Sequence, residues 1–132
     1  MSWRINDEEI ASVCALTPCQ RYEHFIGRVA DWGEIWSLRD ADGWVLWGNK
    51  ALEELVPVWP HEEYAKKCAE GEWGGTQPTS IELEAWRKRW IPGMIQDGKK
   101  IVVFSTPESN GLVVTPEQLN NDLEKELARL ED

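Results

Sequence analysis

Ile101-Val-Val-Phe104 places four apolar residues in succession. A strand with one buried face alternates apolar and polar residues, whereas a strand apolar at every position must be covered on both faces. The chain therefore needs helices or loops on either side of a central strand. Asn110-Gly111 turns the chain back into Leu112-Val-Val114, which predicts a hairpin. A second hairpin is expected where Ile35-Trp-Ser-Leu-Arg39 and Trp44-Val-Leu-Trp-Gly48 flank Asp40-Ala-Asp-Gly43. Trp44 and Leu46 point to one side of that second strand and Val45 and Trp47 to the other, so both faces again carry apolar weight. Leu55-Val-Pro-Val-Trp59 reads as an edge strand or a bulge, because Pro57 has no N–H to give a ladder. Thr76–Thr79 reads as a brief pairing segment.

The covering helices announce themselves by their caps. Asn6 and Glu9 can close a capping box on a short first helix, 6–16, that turns Ile10, Val13 and Cys14 inward. Thr17-Pro18-Cys19-Gln20 combines a cap, a first-turn proline and a capping-box Gln. From there Tyr22, Phe25, Ile26, Val29, Trp32 and Trp36 recur at helical spacing, with Arg21, Glu23 and Arg28 expected on the solvent side. Pro60–Ala69 has proline and acid in its first turn and Lys66 and Lys67 in its last. Ser80 is expected to cap a helix carrying Leu83, Trp86, Trp90 and Ile91 inward, with Pro92 and Gly93 kinking or breaking it. Thr115-Pro-Glu-Gln118 opens a last helix, 116–130, lined by Leu119, Leu123, Leu127 and Leu130. The expectation is one α+β domain over 1–132, with a core at 17–115. Its mixed, mostly antiparallel sheet would have about five strands and two hairpins, packed by about five helices.

Charge and cysteine content bound the setting. Twenty-four acidic residues against 14 basic ones give a net charge of −10, the wrong sign for a nucleic-acid binder. No apolar run approaches the roughly 20 residues of a membrane span. Met1–Glu9 lacks a basic region followed by an apolar stretch. Three cysteines with no C-x-x-C fit reduced thiols, and a cytoplasmic location follows as the expectation.

Arg21–Trp32, Asp42-Gly-Trp-Val-Leu46, Pro57-Val-Trp-Pro-His61, Ala65–Trp73 and Trp90-Ile-Pro-Gly93 together resemble a bacterial family of unknown function. It is number 2750 in the domain-of-unknown-function series, and the resemblance runs from about Pro18 to Leu127. At the level of pattern, an apolar Val-Pro-Val-Trp strand feeding a helix, a late hairpin and a closing helix is similar to the N-terminal domain of the enhanced-serine-sensitivity family. The first resemblance implies a single bacterial cytoplasmic domain and brings no catalytic or binding residues with it.

Chemistry-bearing motifs are few. No phosphate-cradling glycine loop of either nucleotide-binding type is present. His24 and His61 share no metal-ligand spacing, so neither a metal nor another cofactor is expected. His61 sits at a helix start, Cys19 lies in a first turn where the dipole favours thiolate, and Asp40 flanks a turn with Asp42. These three are the weak catalytic candidates, each with an ordinary structural role as the competing account. The nine tryptophans divide more usefully. Trp32, Trp36, Trp86 and Trp90 fall on helix faces and Trp44 and Trp59 on strands, leaving Trp3, Trp47 and Trp73 as candidate partner-binding residues. The expected function is a non-catalytic protein-interaction module (regulator, adaptor or immunity-type protein) with an acidic surface, exposed Trp and a basic partner. The alternative is a small-molecule-binding protein or minor enzyme with a Trp-lined pocket. A homodimer through the Leu55–Trp59 edge is the third possibility.

Overall fold

The computed structural model describes residues 6–41, 43–48, 54–69 and 75–131, without the side chains of 47 and 48. Asn6 accepts the Glu9 amide at 2.8 Å and opens α1 (Asp7–Cys14). The reciprocal Thr17–Gln20 capping box, at 3.2 and 3.0 Å, opens α2 (Pro18–Trp32). Gly33, at φ 75°, ends that helix in the left-handed conformation that glycine adopts without steric cost. The chain then enters β1 (Glu34–Asp40), pairs briefly with β2 (Gly43–Trp44), and crosses to β3 (Trp47–Gly48) and β4 (Glu54–Val58). After α3 (Glu62–Ala69), β5 (Gln77–Glu82) returns antiparallel to β1 along its length, from Glu34 opposite Glu82 to Arg39 opposite Gln77. A helical stretch follows as α4 (Leu83–Ala85), a π turn (Trp86–Trp90) and α5 (Ile91–Asp97). β6 (Lys100–Val103), β7 (Leu112–Val114) and α6 (Pro116–Glu131) complete the described chain.

The fold is α+β and mostly antiparallel, but the strands form two small sheets rather than one of about five strands. Their orders are β2-β1-β5 and β3-β4-β6-β7, with β4 and β6 parallel. The second strand expected in the Ile35–Gly48 hairpin, Trp44–Gly48, is divided between them: Trp44 pairs with β1 and Trp47 with β4. One antiparallel bridge joins the sheets, Trp36 and Trp59 exchanging backbone hydrogen bonds of 2.9 and 2.8 Å.

The apolar run of β6 is central and buried on both faces, as its composition requires. The hairpin into β7 also forms. Leu55–Trp59, by contrast, is no edge, since β4 lies between β3 and β6. A residue's N and O point to the same side of a strand. The Pro57 carbonyl accepts the Ser37 hydroxyl at 2.6 Å, so its missing N–H faces β1, beyond the point where β3 stops pairing. Ser80 lies within β5 and caps nothing, and α4 starts at Leu83 without a side-chain cap. Pro92 does not interrupt the following helix. The Ile91 amide reaches back to the Trp86 carbonyl, and this wider turn carries the chain past the proline. Leu119 and Leu123 are buried under α6, whereas Leu130 is exposed.

Arg21, expected on the solvent side, is 1% exposed. Its Nε donates to the Phe104 carbonyl at 2.9 Å, Nη1 to the Leu16 carbonyl at 2.6 Å, and Nη2 to Asn110 O and Ser109 Oγ at 3.1 and 3.0 Å. No carboxylate is among these partners. The guanidinium fork instead collects carbonyl dipoles from the α1–α2 connection and from the loop after β6. Phe104 presents its carbonyl by adopting φ 64°, a conformation a bulky residue holds only under constraint. The same loop is held by Ser105: its carbonyl accepts Trp59 Nε1 at 2.8 Å and its hydroxyl accepts the Gly111 amide at 2.9 Å. A Cβ on Gly111 would collide with the Val103 carbonyl, so the approach needs glycine.

Replacing Arg21 by Met should cost about 3 kcal/mol, because several buried acceptors lose their donors together. Urea denaturation should show a lower midpoint with an unchanged slope. Arg21→Lys should recover little of this, since an ammonium cannot span the fork. A loss below about 1 kcal/mol in Arg21→Met would mean that water or other donors replace it.

Candidate functional site

Gly33 ends α2 so abruptly that Trp32, expected in the core, is left 41% exposed. Trp32 stands at the rim of a groove of about 900 Å³. Pairing of β1 with β5 sets Glu34 directly opposite Glu82 on the groove wall. Like charges in that relation oppose pairing, so the Leu83 amide bond to the Gly33 carbonyl, at 2.9 Å, helps hold the strand ends together. The opposite wall comes from α4, the π turn and α6. Arg87 donates to Glu124 at 2.9 Å and to Asn120 at 3.1 Å, and Lys88 contacts Glu84 at 2.5 Å. The Lys88 hydrogen bond and charge hold the Glu84 carboxyl below the usual carboxylate range. The lining carries Glu34, Glu82, Glu84 and Glu124 against Arg87 and Lys88, an acidic surface beside an exposed indole.

The sequence-derived candidates lie elsewhere and do not come together. His61 is buried, and its Nδ1 accepts the Glu63 amide at 3.1 Å, the work of a helix cap. Asp40 accepts the Gly43 amide at 3.1 Å, the turn role its position suggests, while Asp42 lies outside the described residues. Cys19 is exposed at the start of α2, beside a separate cleft where Tyr22 Oη donates to Asp122 at 2.5 Å. Burial and Asp122 push the Tyr22 phenol up. Cys68 is buried under α3 with Sγ 3.4 Å from the Ser105 carbonyl, and burial pushes its thiol up to about 11. Trp3 and Trp73 lie outside the described residues, as does the side chain of Trp47. Trp59 and Trp86 are fully buried, and Trp36, Trp44 and Trp90 pack partly buried against the core. Among the described residues no three His, Cys, Asp or Glu side chains gather as a metal site, and no helix is long and apolar enough to cross a membrane.

His24 is half-buried in α2, its Nε2 enclosed without a hydrogen-bond partner among the described residues. Burial, and then the Arg28 charge, push its pKa below the usual value, with Glu9 opposing.

Trp32 escaped the sequence reading because it continues the helical stripe begun at Tyr22. The signal against burial is Gly33, a C-terminal cap that stops the helix one residue later. Glu34 and Glu82 escaped because their juxtaposition depends on the β1–β5 register. Comparison with protein families finds that the family described as "Protein of unknown function (DUF2750)" matches residues 22–123. No curated protein matches the chain.

A thiol reagent at mild alkaline pH should label Cys19 at once and Cys68 only on unfolding, as mass spectrometry of timed aliquots would record. Rapid labelling of Cys68 in the folded protein would contradict its burial. Because its folded-state pKa is depressed, His24 favours the native state fully above its unfolded value of about 6.5, and this contribution is lost as pH falls below it. The urea midpoint should decline on acidification through that window, and His24→Gln should flatten the decline.

Proposed function

The chain belongs to this DUF2750 family of unknown function, and we propose that it is a non-catalytic interaction module whose acidic groove takes a basic segment of a partner protein. The observation that carries this reading is Trp32, exposed beside a lining with four carboxylates and two cations. A Lys or Arg side chain entering the groove would lie against an indole face, where cation–π attraction adds to the carboxylate field. Arg87 and Lys88 bond Glu124 and Glu84, which holds the second wall in place and sets the spacing an incoming cation meets. Such complementarity raises the encounter rate and selects partner sign more than it adds affinity. In this reading the protein is a single-domain regulator, adaptor or immunity-type factor of the bacterial cytoplasm.

Calorimetric titration with short Arg- and Lys-rich peptides, and with their Glu-containing counterparts, tests the proposal. The basic peptides should bind, with affinity falling as salt rises. Trp32→Ala should weaken binding about tenfold, equivalent to ~1.4 kcal/mol, without lowering the melting temperature. Glu34→Gln with Glu82→Gln should flatten the salt dependence. Binding indifferent to peptide charge and to Trp32 would sink this reading.

A further inference from the structure

A second groove, of about 380 Å³, opens where the two sheets meet α5. Its floor is aromatic. The Trp44 ring stands edge-on to Trp90 at 4.9 Å, and Trp90 stacks on buried Trp86 at 5.4 Å. The Arg39 guanidinium lies 5.5 Å from the Trp44 ring centre, so that indole is fixed from more than one direction. Val56 and Met94 extend the apolar lining, and Leu46 adds a side chain 42% exposed.

The rim has a different character. Lys99 lies 3.5 Å from Asp97 and 3.9 Å from Glu54 and is thereby neutralised. Arg89, from the π turn, is exposed and makes no ion pair or hydrogen bond among the described residues. Of the charged residues that line the groove, Arg89 and Lys99 stand against Asp97, so in a protein of net charge −10 one cation is in excess beside a preformed aromatic floor. Small-molecule sites pair such apolar walls with a few placed polar groups, in volumes of roughly 300–1,000 Å³.

We propose that this groove binds a small amphipathic carboxylate, its aromatic or apolar body on the Trp44–Trp90 floor and its carboxylate on Arg89. Charge complementarity selects this occupant. Arg favours a planar carboxylate by bidentate bonding, and the two indoles give an apolar aromatic lining against which an aryl group can pack offset or edge-on. The site is separate from the acidic groove and independent of the reading given for it.

Gly93 supplies a clean test, because it lines the groove and a Cβ placed there meets nothing within 4 Å. Gly93→Leu should fill the groove while keeping or raising the melting temperature, since leucine suits a helix better than glycine. The probes are indole-3-propionate and its uncharged alcohol analogue, titrated by ligand-observed NMR into the full chain. Saturable millimolar binding of the carboxylate is expected, weaker by about fivefold for the alcohol and for Arg89→Gln, and lost in Gly93→Leu. Absence of binding to the parent chain, or binding unchanged in Gly93→Leu, would overturn the site. Binding lost in Gly93→Leu but equal for the two probes would overturn the carboxylate assignment.

Discussion

A guanidinium sealed inside the protein, bonded among the described residues to carbonyls and a hydroxyl and to no carboxylate, is the constraint on which the rest of the structure turns. Arg21 is tolerated because backbone carbonyls meet its donors, and each of those carbonyls must stay where the fork can reach it. That requirement holds the α1–α2 connection against α2 and fixes the loop that leaves β6. It is matched by the left-handed Phe104 and by the glycine at position 111. Trp59 and Cys68 reach the next carbonyl of the same loop, so β4 and α3 are tied to it as well. The acidic groove inherits this rigidity, because Trp32 ends the helix that Arg21 anchors about three turns earlier.

The π turn distributes side chains between two unlike surfaces. Arg87 and Lys88 serve the acidic groove, Arg89 and Trp90 line the aromatic one, and Trp86 is buried. Cations two of which meet carboxylates and one of which does not thus lie in consecutive positions. The bulk charge of the protein does not describe the second surface: a net of −10 coexists with a groove whose rim presents a guanidinium that makes no ion pair among the described residues.

What could be read from the sequence was what depends on neighbours along the chain. The caps of α1 and α2, the buried β6 and its hairpin with β7 all follow from spacing within a few residues. Pairings between distant segments could not be read this way. Nothing local to Trp44–Gly48 says that its ends serve different sheets, and nothing local to Ser80 says that β1 recruits it into a strand. Arg21 misled for the same reason, since two of the carbonyls that make its burial tolerable, those of Phe104 and Asn110, lie more than eighty residues away along the chain. The acidic groove was half legible. Excess carboxylate and exposed tryptophan are both expectations of the sequence, but among the described residues the exposed indole is Trp32, whose periodicity points to the core.

The single bridge between Trp36 and Trp59 has a mechanical consequence. Among the described residues the two sheets are joined by one reciprocal pair of backbone bonds, with the Ser37–Pro57 contact beside it, and so meet along a seam rather than a continuous ladder. Trp44 stands on one side of that seam and Val56 on the other, and both line the aromatic groove. The groove is therefore a gauge of the angle between the sheets: a ligand wedged between those residues would press on the seam, and a twist at the seam would reshape the groove.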